Sequence, residues 1–118
     1  ELAVKAVRNA CMNVSDTEGI IIQSDLGTQY TSELFERYLT NHKIRHSLSR
    51  KGCPYDNACI ESFHSLLKKK EVYCKTYKDS KDAYQSIFEY IESGYNHRRK
   101  HSSLGYQSPD EVHAGRVA

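Results

Sequence analysis

The spacing of apolar residues changes twice in the first quarter of the chain. Over residues 2–14, apolar side chains recur every three or four positions, which predicts an amphipathic helix. Gly19 interrupts this pattern, and the unbroken apolar run 20–22 predicts a short strand that is buried on both faces. Asp25 follows at the C-terminal end of this strand, where ligands bind in open α/β sheets. Taken alone, Asp25 is more typical of a turn residue ahead of Gly27.

A helix and a second strand are predicted next. Ser32 is a suitable N-cap, Glu33 adds a favourable charge to the first turn, and the helix is expected to end near Asn41. In residues 44–49, isoleucine, histidine and leucine alternate with polar residues, which is the period of a half-buried strand. The buried side of the helix is expected to carry Leu34, Phe35, Tyr38 and Leu39.

Two more helices are predicted in the second half of the chain. Asp56 or Asn57 can cap the first of them. Ser80 can cap the second, which is expected to run to about Asn96. The predicted buried positions are Ala58, Ile60, Phe63 and Leu67 in the first helix, and Ala83, Ile87, Tyr90, Ile91 and Gly94 or Tyr95 in the second.

Length and composition indicate one small domain or a part of one. A chain of 118 residues can bury a modest core, although about a third of its unfolded surface stays exposed. No apolar run approaches the ~18 residues of a membrane span, and no charged-then-apolar leader opens the sequence. We therefore expect a cytoplasmic protein without a membrane partner.

Cysteine and histidine spacing does not predict a zinc site. The four cysteines form no C-x-x-C pair, so we expect reduced thiols. His42 and His46 are four residues apart, as are His97 and His101, and this spacing can place two ligands on one helix face. No cysteine or carboxylate completes either ligand set, so we expect zinc at neither pair.

The net charge of +2 is unevenly distributed along the chain. Residues 1–60 contain 7 basic and 7 acidic side chains, whereas residues 61–101 contain 9 and 6, and residues 102–118 contain 1 and 2. The excess positive charge therefore lies in the segment that begins at Glu61. A basic surface of this kind suits a polyanion such as DNA, although it is also typical of a solvated helix face.

Three blocks of residues carry the clearest functional signal. Asp25 lies in the first block and Glu61 in the second, with 35 residues between them. The blocks are residues 23–32 (QSDLGTQYTS), residues 52–63 (GCPYDNACIESF), and residues 95–106 (YNHRRKHSSLGY) with Ser108-Pro109. Together they resemble the integrase core of bacterial insertion-sequence transposases, a group related to retroviral integrases. The resemblance extends from about Gly19 to Val112.

The resemblance implies an α/β, RNase H-like fold whose Asp-Asp-Glu triad binds Mg²⁺ or Mn²⁺. Asp25 and Glu61 match the second and third carboxylates, so they are the expected catalytic residues and metal ligands. Carboxylates from distant parts of a chain suit this chemistry, because two cations roughly 3.5 to 4 Å apart must be held against one phosphate. The implied partner is DNA, as transposon ends and target, with no small-molecule substrate.

Basic residues accompany both carboxylates and are candidates for phosphate binding. Lys68 lies seven positions after Glu61, about 10.5 Å along the same helix face, and the family has a basic residue at this spacing. Arg50 and Lys51 precede the second block, where they could contact a DNA backbone or belong to a simple connector. Cations at the end of the last long helix interact favourably with the helix dipole, and they are also suited to bind DNA phosphates. These two candidates are Arg98 and Arg99.

The chain departs from the family pattern at its start. The first Asp of the triad lies on an opening strand in the family, whereas the 24 residues before Asp25 predict a helix. Asp16 lies in a polar turn and is more typical of a helix end than of a displaced catalytic residue. We therefore expect residues 1–118 to be a partial integrase core that lacks the opening strands and is inactive alone. Because its strand would have an unpaired edge, we also expect a homodimer.

Two other functions account for part of the pattern. A catalytically inactive transposase remnant that only binds DNA or a partner protein is the main alternative, and the missing first Asp favours it. An RNase H-type nuclease shares the metal chemistry, but it does not account for the blocks at residues 52–63 and 95–106.

Overall fold

The computed structural model of the protein describes residues 1–117. It has two compact units, the first formed by Glu1–Glu61 and the second beginning at Ser62. Within residues 1–117, no helix is both long enough and apolar enough to cross a membrane. The helices and strands in chain order are α1 (Leu2–Cys11), β1 (Ile21–Ser24), α2 (Glu33–Asn41), β2 (Arg45–Leu48), α3 (Ala58–Leu67), α4 (Ser80–Glu89) and α5 (Pro109–Val117).

The first unit is built on a two-stranded parallel sheet. Strands β1 and β2 pair in register from Ile21 with Arg45 to Ser24 with Leu48, and α2 forms the crossover between them. The core beside the sheet combines residues from α1, α2 and the position just before β2. Its buried members are Val4, Phe35, Leu39 and Ile44. The predicted α/β class is therefore observed as a mainly helical arrangement with one small parallel sheet, compatible with part of a larger domain.

Helix α2 confirms the predicted cap and corrects the predicted buried side. The Ser32 hydroxyl accepts a hydrogen bond from the Phe35 N–H at 3.3 Å. Phe35 and Leu39 are each only 1% exposed, because side chains four residues apart project from one face of a helix. Leu34 is 53% exposed, so the prediction that it is buried was wrong. It lies about 100° around the helix from Phe35 and faces away from the core.

Both strands and α1 also differ from the sequence predictions. Helix α1 ends at Cys11 rather than residue 14, since Val14 N–H closes a tight turn onto the Cys11 carbonyl at 3.0 Å. Strand β1 is not buried on both faces, because Ile21 is 54% exposed. The alternation in β2 holds for Ile44 and His46, whereas Leu48 is exposed at the strand end.

The second unit contains helical segments with wider turns than an α-helix. The chain continues from α3 into a π-helical segment, Lys68–Val72, and from α4 into another, Tyr90–Arg98. Asp79 caps α4 by accepting from the Asp82 N–H at 2.8 Å, so the prediction that Ser80 is the cap was one residue late. Two predicted buried positions of α3, Ala58 and Ile60, are exposed. The predicted buried side of the long helix is half-buried at Ala83, Ile87, Tyr90, Ile91, Gly94 and Tyr95.

A buried carboxylate joins two helical segments of the second unit. Glu71 is 3% exposed and accepts hydrogen bonds from the hydroxyls of Ser86 and Tyr77. The Lys75 Nζ atom lies 3.0 Å from the Glu71 Oε2 atom. Burial would raise the pKa of Glu71, but the bonds from Ser86, Lys75 and Tyr77 outweigh burial and hold the pKa below its usual value. The carboxylate therefore stays charged and fixes the π-helical segment to α4.

Candidate functional site

Asp25 lies in a tight turn directly after β1. Its Oδ1 atom accepts a hydrogen bond from the Gly27 N–H at 2.8 Å, and the side chain is exposed. A Cβ atom at position 27 would lie only 2.9 Å from Asp25 Oδ1. Gly27 is therefore required for this orientation of the carboxylate, and Asp25 is both a turn residue and an accessible oxygen donor.

A pocket of about 400 Å³ adjoins the Asp25 turn. It lies between the end of β1 and the loop that leads from β2 to α3. Of the residues predicted to act in the site, the pocket brings together Asp25, Arg50 and Lys51. The full lining comprises Asp25, Leu26, Ser49, Arg50, Lys51, Gly52, Cys53, Pro54 and Asn57.

Ser49 connects the ends of the two strands with the start of α3. It is 6% exposed, and its N–H donates to the Ser24 carbonyl at 2.8 Å. Its hydroxyl oxygen lies 2.9 Å from the same carbonyl and 2.7 Å from the Asn57 Oδ1 atom. The Gln23 amide nitrogen donates to the same hydroxyl at 3.0 Å. The sequence reasoning missed this connection, because serine at a strand end has no distinctive signal.

Glu61 projects from α3 one helical turn after Asn57. Its side chain is exposed, and no described residue forms a hydrogen bond or ion pair with it. Four residues along a helix rise about 6 Å, so Glu61 is close in the chain to a residue that lines the Asp25 pocket. The proximity of the two carboxylates themselves stays a prediction.

Arg50 is engaged by a carboxylate within the same loop. Its backbone N–H donates to Asp56 Oδ2 at 2.8 Å, and its Nε donates to the same atom at 3.3 Å. The side-chain hydrogen bond with Asp56 raises the pKa of Arg50, and the bonds from Arg50 lower the pKa of Asp56. Asp56 is therefore occupied and does not cap α3, and neither does Asn57. The helix instead continues a 3₁₀ turn, Pro54–Asn57.

The other basic residues predicted to contact DNA lie in different parts of the structure. Lys51 lines the pocket and forms no ion pair with any residue in 1–117. Lys68 belongs to the second unit, where it is the first residue of a π-helical segment and is exposed. Arg98 donates to the Ser93 carbonyl at 3.0 Å, and the neighbouring Arg99 is exposed. Lys51 and Arg50 therefore share a pocket with a proposed catalytic carboxylate.

In each of the two histidine pairs with four-residue spacing, the two side chains contact different partners. His42 contacts the Tyr38 carbonyl, whereas His46 contacts Glu36 and Ser24. In the second unit, His97 lies 3.3 Å from an Asp110 oxygen, while His101 packs against the Tyr95 ring. Asp16 accepts from the Glu18 N–H at 2.9 Å, which confirms that it is a turn residue.

The carboxylates of Asp25 and Glu61 have the right chemistry for a divalent metal, but they are too few to form a complete ligand set. Mg²⁺ prefers oxygen ligands, and exposed carboxylates such as those of Asp25 and Glu61 provide them. Among residues 1–117, however, no group of three or more His, Cys, Asp and Glu side chains is gathered as a metal site requires. The two carboxylates are therefore suited to be part of a metal centre rather than the whole of it.

Comparisons with known proteins identify the family. The integrase core domain matches residues 42–109 of this chain. The transposase for insertion sequence element IS904 of Lactococcus lactis is 41% identical over 102 residues, which cover 86% of this chain and 40% of that protein. Transposase InsF for insertion sequence IS3A of Escherichia coli (strain K12) is 36% identical over 111 residues, which cover 94% of this chain and 38% of that protein. The chain thus spans about two fifths of the length of these relatives. With more than half of its length matched, it belongs to the integrase core domain family.

Proposed function

We propose that this chain is part of a transposase core that cleaves and joins DNA during transposition of an insertion sequence. The observation that carries this proposal is the pocket at the end of β1. It combines the Asp25 carboxylate with the cation of Lys51 and with Asn57, one helical turn before Glu61. A carboxylate and a cation side by side suit a phosphodiester, since the metal needs oxygen ligands and the phosphate needs a positive partner.

Asp25 and Glu61 are the proposed catalytic residues and metal ligands. When bound, Mg²⁺ or Mn²⁺ supplies the Lewis-acid chemistry that activates an attacking oxygen and stabilises a leaving one. The reaction would first free a 3′ hydroxyl by hydrolysis, and that hydroxyl would then attack target DNA. No protein nucleophile is required, so the side chains of this chain hold and orient rather than form a covalent intermediate.

The basic residues have the proposed role of binding phosphates. Lys51 is best suited among the pocket cations, because the charge of Arg50 is compensated by Asp56. Lys68, Arg98 and Arg99 are proposed to contact DNA further from the reacting phosphate. Action on chromosomal DNA implies a cytoplasmic location in a bacterial cell.

We also propose that residues 1–118 carry the second and third carboxylates of the triad within a partial core, and that the chain alone does not join DNA ends. With only two carboxylates, water must fill the remaining coordination positions of the two metal ions, which weakens metal binding. The relatives are named as transposases, which favours this function over that of a remnant that only binds DNA or protein.

A homodimer completes the proposal. Ile21 is 54% exposed on β1, and the outer edges of a two-stranded sheet leave backbone groups unpaired. A two-fold interface would let identical surfaces cover each other. Sedimentation at micromolar concentration distinguishes the states, and a cooperatively unfolding monomer would overturn the dimer.

Manganese binding tests the proposed site. Mn²⁺ affinity of the full chain should be weak, and Asp25→Asn and Glu61→Gln should each lower it by at least about 10-fold, because replacing even a residue that only orients a ligand typically costs this much. Asp16→Asn is the matched control, because Asp16 is an exposed turn carboxylate in the same unit. Equal affinities for the wild type and both site variants in electron paramagnetic resonance titrations would overturn the assignment.

A further inference from the structure

A buried histidine connects α2 to the strand end that carries Asp25. The side chain of His46 is 6% exposed, and its ring packs against Phe35 in a T-shaped arrangement with centroids 5.3 Å apart. Its Nδ1 atom is hydrogen-bonded to an oxygen of Glu36, and its Nε2 atom lies 2.8 Å from the Ser24 hydroxyl. Both ring nitrogens therefore have polar partners within one compact unit.

The Ser24 hydroxyl links His46 to the backbone of Asp25. The Ser24 hydroxyl carries one hydrogen and lies 2.9 Å from the Asp25 carbonyl oxygen, which can only accept. The same hydroxyl oxygen lies 2.8 Å from His46 Nε2, so one oxygen contacts both groups. The result is a continuous series of contacts from Glu36 through His46 and Ser24 to the backbone of Asp25.

These contacts hold the peptide groups on both sides of the Asp25 Cα atom. The Ser24 carbonyl before it accepts from Ser49, and the Asp25 carbonyl after it accepts from Ser24. The carboxylate itself is then held by the Gly27 N–H at 2.8 Å. With the backbone fixed at both ends, the direction in which the Asp25 side chain leaves the chain is also fixed.

A serine, a histidine and a glutamate in sequence also resemble the nucleophilic arrangement of hydrolases. Ser24 does not suit that role, because it is only 8% exposed and its hydroxyl also contacts the Asp25 carbonyl. Its burial and its backbone contact thus favour orientation of a neighbouring group over attack on a substrate.

We propose that His46 and Glu36 are positioning residues that orient the Asp25 carboxylate through Ser24. The inference rests on the proposed function for the role of Asp25, but the geometric claim can be measured without metal or DNA. Residues that orient a ligand without touching the metal typically change its affinity by about 10- to 100-fold when they are replaced.

Three variants isolate the proposed contact. His46→Phe keeps a ring against Phe35 but removes both hydrogen bonds, whereas His46→Gln keeps an amide donor for Ser24. Ser24→Ala removes the hydroxyl between His46 and the Asp25 backbone with a small change in volume. It tests the same contacts if His46→Phe does not fold. His42→Phe is the control, because His42 is an exposed histidine of the same unit.

The first readout is the amide signal of Gly27 in ¹H–¹⁵N NMR spectra, because this N–H bonds to Asp25 Oδ1. In His46→Phe and Ser24→Ala it should move toward its position in Asp25→Asn, while His46→Gln and His42→Phe should keep the wild-type position. The second readout is Mn²⁺ affinity, which should fall by about 10-fold in the first two variants only.

The two readouts separate this inference from the proposed function. An unchanged Gly27 signal in both His46→Phe and Ser24→Ala would overturn the positioning role, whatever the Mn²⁺ affinities are. A shifted Gly27 signal in a protein whose wild type binds no Mn²⁺ would support the positioning role and overturn the metal site instead.

Discussion

The hydroxyl oxygen of Ser49 lies 2.7 Å from the side-chain oxygen of Asn57 and so joins the end of β2 to the start of α3. The same hydroxyl lies 2.9 Å from the Ser24 carbonyl, immediately before Asp25. One buried side chain therefore contacts both chain segments that carry the proposed catalytic carboxylates.

Replacing Ser49 with alanine should destabilise the first unit. Asn57 would lose a buried partner, and the Ser24 carbonyl would keep the Ser49 N–H and the weaker Gln23 amide contact at 3.4 Å, so we expect a loss of about 1–3 kcal/mol in the free energy of unfolding. Urea unfolding measures this loss. Ser47→Ala on the same strand is the control and should change stability by less than ~0.5 kcal/mol. Equal effects at both serines would contradict the role of Ser49.

The cap of α2 could be predicted from sequence, whereas the cap of α4 was predicted one residue late and the burial of neighbouring apolar residues could not be predicted. The Ser32 cap depends only on the three residues that follow it, so it was predicted correctly. Leu34 and Phe35 are both apolar neighbours on one helix, and only the position of the sheet decides which of them is buried. For the same reason, the run 20–22 could not reveal that Ile21 would be exposed.

The candidate site shows the same division. Asp25 and Glu61 could be selected because their flanking residues resemble a family, which needs no knowledge of contacts. Arg50 and Asp56 were predicted separately, as a phosphate contact and a possible helix cap, whereas the structure pairs them within one loop. That pairing depends on how the loop closes, and sequence spacing carries no signal for it.

Helix α2 offers a matched test of the observed core. Leu39 is 1% exposed and Leu34 is 53% exposed, so the same change to alanine should have very different costs. Leu39→Ala should lower the free energy of unfolding by about 2–5 kcal/mol because it leaves a cavity. Leu34→Ala should cost less than ~1 kcal/mol, since its side chain already contacts water. Chemical denaturation measures both, and a larger effect at Leu34 would show that the helix is rotated.

Acid should release α5 through Glu111. Hydrogen bonds from Lys100 and the Ser108 N–H lower the pKa of Glu111 from 4.5 to about 2. Because the folded pKa lies below the unfolded one, this contribution to stability is complete above about pH 4.5 and is lost as the pH falls toward 2. NMR signals of residues 109–116 should therefore weaken over that range.

Glu111→Gln supplies the comparison for the acid titration. This variant should lack the ionic contact with Lys100 at every pH, so the signals of α5 should already be weaker at pH 6 and change little below pH 4.5. Glu92→Gln is the control at an exposed glutamate of the same unit and should titrate like the wild type. Wild-type behaviour of Glu111→Gln would exclude this carboxylate as the source of the acid response.

The last prediction concerns the two cations beside Asp25. Lys51 lines the pocket and has no ionic partner in residues 1–117, whereas Arg50 is paired with Asp56. Lys51→Ala should weaken DNA binding and lower the slope of log affinity against log salt by about 1, because one phosphate contact is lost. The double change Arg50→Gln with Asp56→Asn removes two opposite charges and should leave that slope almost unchanged. Fluorescence anisotropy at several salt concentrations measures both slopes. A loss of slope in the double variant but not in Lys51→Ala would show that Arg50 leaves Asp56 to bind the phosphate.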